Sequence, residues 1–359
     1  MRRQHQATAR QPAGRNLKSL ALAGISVCIA TGIATFSLLS ALSTAPAQTP
    51  PPQISPQEIQ VYRNAHTVID WTPKEIRESV ELKKLRPAAN QNDLGTMMES
   101  VGEKVAAFID NLPNTACAES IRSDQVEDRK GTLTEVFNDK FRYLLLRSPH
   151  GGWNGFQEYR TDAQGHAVNY GGAKVKSILT SRFALLVLCF DPRIQWSCHY
   201  RYFGRQMMGR RDTDVVGFAQ NPEAKITLAS FSDGKRAAQT LLQGLAWIDR
   251  DRHEILRLRT DLLAPPPGSH LAKETTVVDY SPVQLSETSA ATVLPRKVVV
   301  DLWLRVDAQA DPMDNACFLV AKGYFLPQQC GTQVRHFRNT HLYSDYKLFR
   351  VESRIGATP

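Results

Sequence analysis

Signatures of catalysis are what this sequence lacks. It has no phosphate-binding P-loop, no glycine fingerprint for a dinucleotide and no G-x-S-x-G elbow. His253-Glu254 is not a zinc-protease motif, because Arg257 stands where the second histidine is required. Cys198 and His199 are sequence neighbours whose side chains diverge on a strand, which separates thiol from imidazole. Asp249, Asp251, His253 and Glu254 crowd into a charged turn, where polar side chains collect in any hairpin, and they are read as solvated. Nothing positive points to an enzyme, a cofactor or a bound metal.

Acid is missing from one end of the chain. No Asp or Glu precedes Thr49, whereas Arg2, Arg3, Arg10, Arg15 and Lys18 do. Those five supply more than half of the net charge of +9, so the remainder is ordinary for a soluble domain. No basic run interleaved with aromatics is left, which argues against nucleic acid as a partner. The basic stretch leads into an apolar run, Leu20–Leu42, and then Ser43-Thr44-Ala45-Pro46-Ala47, with small residues at both positions of a peptidase site. Residues 1–47 therefore read as a signal peptide cut after Ala47. The alternative is an uncleaved anchor holding residues 20–42 in the inner membrane. Either way the body of the protein is expected in the periplasm or otherwise outside the cytoplasm.

Cysteine is scarce. Beyond residue 47 stand Cys117, Cys189, Cys198, Cys317 and Cys330, an odd number that leaves at least one thiol free. Cys317 and Cys330 lie in a loop between two strands. A bridge there suits an oxidising compartment and would stabilise by about 3 kcal/mol. Cys189 and Cys198 flank a turn containing Pro192 and form a second expected pair, with Cys117 left over.

What is present is organised from helix toward strand. A Pro-rich linker at residues 48–53 precedes an expected helical N-terminal extension, 54–132. Ser55-Pro56-Gln57-Glu58 and Thr72-Pro73-Lys74-Glu75 are capping boxes, the second helix running to about Leu85. A third helix spans Leu94–Leu112, with Leu94, Met97, Met98, Val101, Val105, Phe108 and Ile109 along one stripe. From Leu133 the texture becomes mostly β. In Lys297–Val306, the residues Val298, Val300, Leu302 and Leu304 share one face, opposite Lys297, Asp301 and Arg305.

The most informative stretch is Leu241–Leu263, two apolar arms around Arg250-Asp251-Arg252-His253. It reads as a hairpin whose second arm puts Leu256, Leu258 and Leu262 opposite Arg257, Arg259 and Asp261. The first arm is apolar on both faces: Leu245 and Trp247 on one, Ala246 and Ile248 on the other. Ser177–Phe190 is apolar nearly all round and too short to span a membrane, so it is expected as a helix buried against the sheet.

Gly244-Leu245-Ala246-Trp247-Ile248-Asp249, Ile255-Leu256-Arg257-Leu258, Val278-Asp279-Tyr280-Ser281-Pro282-Val283 and Leu294-Pro295-Arg296-Lys297-Val298 follow one another in an order that resembles the periplasmic lipoprotein-carrier (LolA-like) superfamily. The resemblance covers roughly Leu133–Ile355 and implies an α+β, mostly antiparallel domain over residues 133–359. In it a curved sheet forms an unclosed half-barrel with helices on its concave side. It also implies a cleft for a lipid or hydrophobic ligand, lined here by Phe141, Tyr143, Leu245, Trp247, Leu256, Leu258, Val298, Val300, Leu302 and Leu304. Burial of methylenes would drive such binding, which explains the absence of a polar site motif. Two other classes stay open: an envelope protein-interaction module whose hollow is filled by its own helix, with another envelope protein as partner, and an exported hydrolase with a scattered catalytic set.

Overall fold

The computed structural model describes residues 54–127, 131–147, 156–168, 183–232, 237–285, 291–307 and 332–349. The expected signal segment, the linker, Cys317 and Cys330 lie outside the described residues.

Both capping boxes form. Ser55 Oγ accepts from the Glu58 N–H at 3.2 Å, and the Glu58 carboxylate accepts from the Ser55 N–H at 2.7 Å, opening α1 (Pro56–Arg63). Thr72 and Glu75 repeat the exchange at 3.3 and 2.7 Å for α2 (Pro73–Glu78). That helix is shorter than its pattern predicts. Ser79 turns extended, and a single 3-10 turn, Val80–Leu82, carries the chain on. In α3 (Leu94–Asn111), Met97, Met98, Val101, Val105 and Ile109 are buried along the expected stripe.

Strand structure starts earlier than the pattern indicates. After a two-residue strand β1 (Arg86–Pro87), the segment Thr115–Glu127 forms β2, inside the stretch expected to be a helical extension. The next strands are β3 (Thr132–Arg147), β4 (Phe156–Thr161), β5 (Cys198–Met208), β6 (Arg211–Gln220), β7 (Ala229–Ser232) and β8 (Ala237–Thr240). The expected hairpin is β9 (Leu242–Asp249) and β10 (Ile255–Leu262), followed by β11 (Leu271–Val283), β12 (Thr292–Asp307) and β13 (Thr332–Leu348). Eleven of these form one antiparallel sheet in the order β1-β5-β6-β9-β10-β11-β12-β13-β2-β3-β4, while β7 and β8 pair separately. The sheet is curved and unclosed, with β1 and β4 at its two edges.

Alternation assigns the two faces. Val298, Val300, Leu302 and Leu258 point inward, where they pack with α3 and with Phe183–Phe190, a 3-10 helix on which no residue is more than 8% exposed. The outer face carries charge. Arg257 pairs with Asp279 at 2.6 Å, and Asp301 takes His336 and Arg338 at 2.8 Å each. At the β5–β9 end the outer face is apolar instead, and the N-terminal extension covers it. Leu82, Trp71, Ile76 and Leu85 pack on Phe203, Val215, Leu245 and Trp247, while Tyr62, Ile54 and Ile69 pack on Ala219, Leu241 and Leu263. Of the helices, then, α3 and the 3-10 segment lie on the inner face and α1 and the segment after α2 on the outer one.

Two glycines make close approaches possible. A Cβ at Gly244 on β9 would stand 1.8 Å from the Arg259 carbonyl oxygen. One at Gly204, which has φ +131°, would stand 2.0 Å from the Arg86 oxygen, so only glycine lets β1 lie against β5.

Candidate functional site

The inner face has two distinct parts: a small apolar cleft at the hairpin end, and a buried polar cluster near the β2–β13 seam. The cleft has a volume of ≈ 340 Å³ and lies between the C-terminal half of α3 and the ends of the hairpin, β11 and β12. Val105, Phe108 and Leu112 form one wall, and Val187, Ile255, Tyr280 and Val293 the other. Lys104, His253 and Glu254 are its charged and titratable lining. The hairpin turn places the last two there. Asp249 accepts from the N–H groups of Asp251 and Arg252 at 3.0 Å each, and His253 takes the left-handed conformation at φ 58°. Asp249 therefore shapes the turn.

None of the ten residues expected to line a cleft touches this one. Tyr143, Leu258, Val298, Val300 and Leu302 are brought together on the inner face, with Leu304 partly buried against them. They pack on Phe183–Phe190, which fills the space a ligand was expected to take. Phe141 is buried with its ring stacked on Phe137 at 6.2 Å, and Leu256 is buried at the bulge between Ile255 and Arg257. Leu245 and Trp247 are a correction. They lie on the outer face beneath the N-terminal extension, and Trp247 carries the Arg257 guanidinium 6.0 Å from its ring centre. A first arm that is apolar on both sides supplies two cores, one on each face of the sheet.

The expected Cys189–Cys198 bridge is a second correction. Both are free, buried thiols, as is Cys117. Cys189 Sγ turns back to the Leu186 carbonyl at 3.2 Å within its own 3-10 helix, while Cys198 Sγ lies 3.9 Å from Ser197 Oγ. Burial pushes the Cys117 thiol up to about 12 and the Cys198 thiol up to about 11.

The polar cluster was invisible to pattern reasoning. Glu119 on β2, opposite Tyr343 on β13, has a fully buried side chain. Its Oε1 accepts from Arg160 Nη2 at 2.7 Å, the Tyr343 hydroxyl at 2.8 Å and His341 Nδ1 at 2.9 Å, while Arg160 Nε reaches Oε2. Burial raises the Glu119 pKa, but the hydrogen bonds from His341 and Arg160 and the Arg160 charge outweigh it and hold the carboxyl at about 2. An ionised carboxylate only accepts, so His341 Nδ1 carries the proton it donates. Burial lowers the His341 pKa and Glu119 opposes that shift, leaving the ring below its ordinary value and neutral. Phe183 packs edge-on against the His341 ring, with centroids 5.0 Å apart. Only the inward spacing of Cys117, Glu119 and Ile121 hints at such a cluster, and a single glutamate in that row reads as a solvent position.

No protein-family model and no curated protein sequence matches the chain. Solved structures similar to it include a LolA superfamily protein from Nitrosomonas europaea, at 11% identity over 71% of this chain and 94% of that one, with a TM-score of 0.30. A DUF1329 family protein from Desulfovibrio piger is 9% identical over 74% and 94%, with a TM-score of 0.32. An outer membrane lipoprotein-sorting protein domain from Vibrio parahaemolyticus is 11% identical over 69% and 90%, with a TM-score of 0.33.

Proposed function

We propose that this protein is a non-enzymatic binding protein of the cell envelope that holds a lipid or other hydrophobic ligand on the inner face of its half-barrel. The observation that carries this reading is the ≈ 340 Å³ cleft between α3 and the sheet, lined mostly by apolar side chains. Its size falls within the range of small-molecule sites. Each methylene buried against Phe108, Val187 and Val293 contributes roughly 0.8 kcal/mol. Phe183–Phe190 marks how greasy the adjoining space is. It is a chain segment standing where an acyl chain fits, and its displacement enlarges the site. The basic stretch, apolar run and Ala45-Pro46-Ala47 support export.

Organic extraction of protein purified from its native envelope, followed by lipid mass spectrometry, tests the proposal. One lipid per chain is expected, and its loss in Val293→Trp, which fills the cleft. A clean extract with a copurifying protein overturns it in favour of an envelope interaction module. The observation favouring that second reading is that the chain's own apolar segment already covers the inner face.

A further inference from the structure

Two atoms of the polar cluster have no hydrogen-bond partner among the described residues: His341 Nε2 and the Tyr143 hydroxyl oxygen. Both residues are buried, at 0% and 3% exposure, and both point to the inner face. A buried polar atom left unbonded destabilises a fold, so two in one cluster call for a physical account. Tyr343 links them. Its ring lies 5.3 Å from that of Tyr143 and 6.4 Å from that of His341.

The chemistry of the unbonded nitrogen is specific. His341 Nδ1–H is committed to Glu119, so Nε2 presents a lone pair and accepts. Arg160 and Glu119 neutralise one another, and the imidazole is uncharged. A ligand anion would meet a lone pair and a carboxylate, and a cation would meet Arg160. A neutral donor meets neither penalty. Phe183 connects that nitrogen to the cleft. Tyr280, in the cleft wall, donates to the Phe183 carbonyl at 3.0 Å, and the Phe183 ring is what covers His341.

We propose that His341 Nε2 accepts a hydrogen bond from the uncharged hydroxyl of a neutral amphiphile whose chain takes the place of Phe183–Phe190, with Tyr143 supplying a second hydroxyl contact. This rests on the hydrophobic-ligand reading and adds to it a polar group deep in the hollow, apart from Lys104, His253 and Glu254 of the cleft. The ligand class is a neutral hydroxylated lipid.

Displacement of an apolar fluorescent dye from the purified protein, by 1-monopalmitoylglycerol and by methyl palmitate, tests it. Wild type is expected to prefer the monoacylglycerol by roughly five- to tenfold, the worth of one neutral hydrogen bond. His341→Phe and Tyr143→Phe are each expected to shrink that ratio and leave methyl palmitate affinity unchanged. Tyr143→Phe keeps the ring and deletes an unbonded oxygen, so its melting temperature is expected to be equal or higher. A wild type without the preference, or variants that keep it in full, overturns the inference while both lipids still displace the dye. Failure of both lipids to displace it overturns the hydrophobic-ligand reading and this inference together.

Discussion

Glu119 and Arg160 sit two strands apart, yet their side chains meet with 0% and 1% exposure. Arg160 on β4 reaches past Tyr143 on β3, its guanidinium 5.6 Å from that ring's centre, to a carboxylate on β2. A charge buried this deeply is tolerable only where the carboxylate's remaining capacity is filled. Tyr343 and His341 fill it from the far side, so side chains of three strands, β2, β4 and β13, meet at one carboxylate.

Removing one partner is therefore expected to be far worse than removing both. Glu119→Gln leaves the Arg160 charge buried and uncompensated, and should lower unfolding free energy by about 3–5 kcal/mol in urea titration. The double variant Glu119→Leu, Arg160→Leu should recover a large part of that loss. A single-variant loss below about 1 kcal/mol would show that the pair is solvated.

Acid should weaken the same cluster through His341. Its folded pKa lies below the ordinary value, so the unfolded chain binds a proton first as pH falls. Stability contributed by the neutral ring is thus complete above about pH 6.5 and is lost as pH drops toward the folded pKa. Glu119 acts lower down: its contribution is present above the unfolded carboxyl value and lost as pH falls toward about 2. Thermal melts of wild type and His341→Phe, compared between about pH 7 and pH 5, should show wild type losing stability relative to the variant. Parallel curves would refute the assignment.

Trp247 separates stability from binding. It is buried on the outer face under Leu82 and Trp71, so Trp247→Ala should cost about 3–5 kcal/mol of stability. The folded fraction should nevertheless bind an apolar dye as wild type does, whereas Val293→Trp, at the half-buried cleft wall, should reduce binding at little cost in stability. Dye affinity that follows Trp247 would place the ligand on the outer face.

Much of the fold was legible because its signals are local. Ser55/Glu58 and Thr72/Glu75 need only neighbours four residues long, and β12 shows its faces because Val298, Val300 and Leu302 alternate against Lys297 and Asp301. Strand β2 was hidden for a physical reason. Its inward row carries Glu119 between Cys117 and Ile121, so the residue that anchors the polar cluster also breaks the alternation that marks a strand. In β9 the difficulty is the reverse. Leu245 and Ala246 both read as core, and no local rule says that an N-terminal extension covers one face. The cleft was illegible because α3, the hairpin turn and β12 meet there only through tertiary packing.

The seam between β13 and β2 has a consequence for how the chain comes into being. The Tyr343 hydroxyl and Glu119 bond across 224 positions of sequence, and β2 has β13 as its neighbour in the sheet. A chain that emerges amino end first must hold β2, β3 and β4, with an unsatisfied carboxylate among them, until its last described strand arrives. Contacts of such long range make assembly slow, because the entropy of closing so large a loop is lost before any bond rewards it. During that interval Phe183–Phe190 lacks the β13 side of its cover, including the His341 ring that packs on Phe183. The half-finished molecule is thus far stickier than the finished one, and its safe passage depends on the speed with which the final strand is delivered.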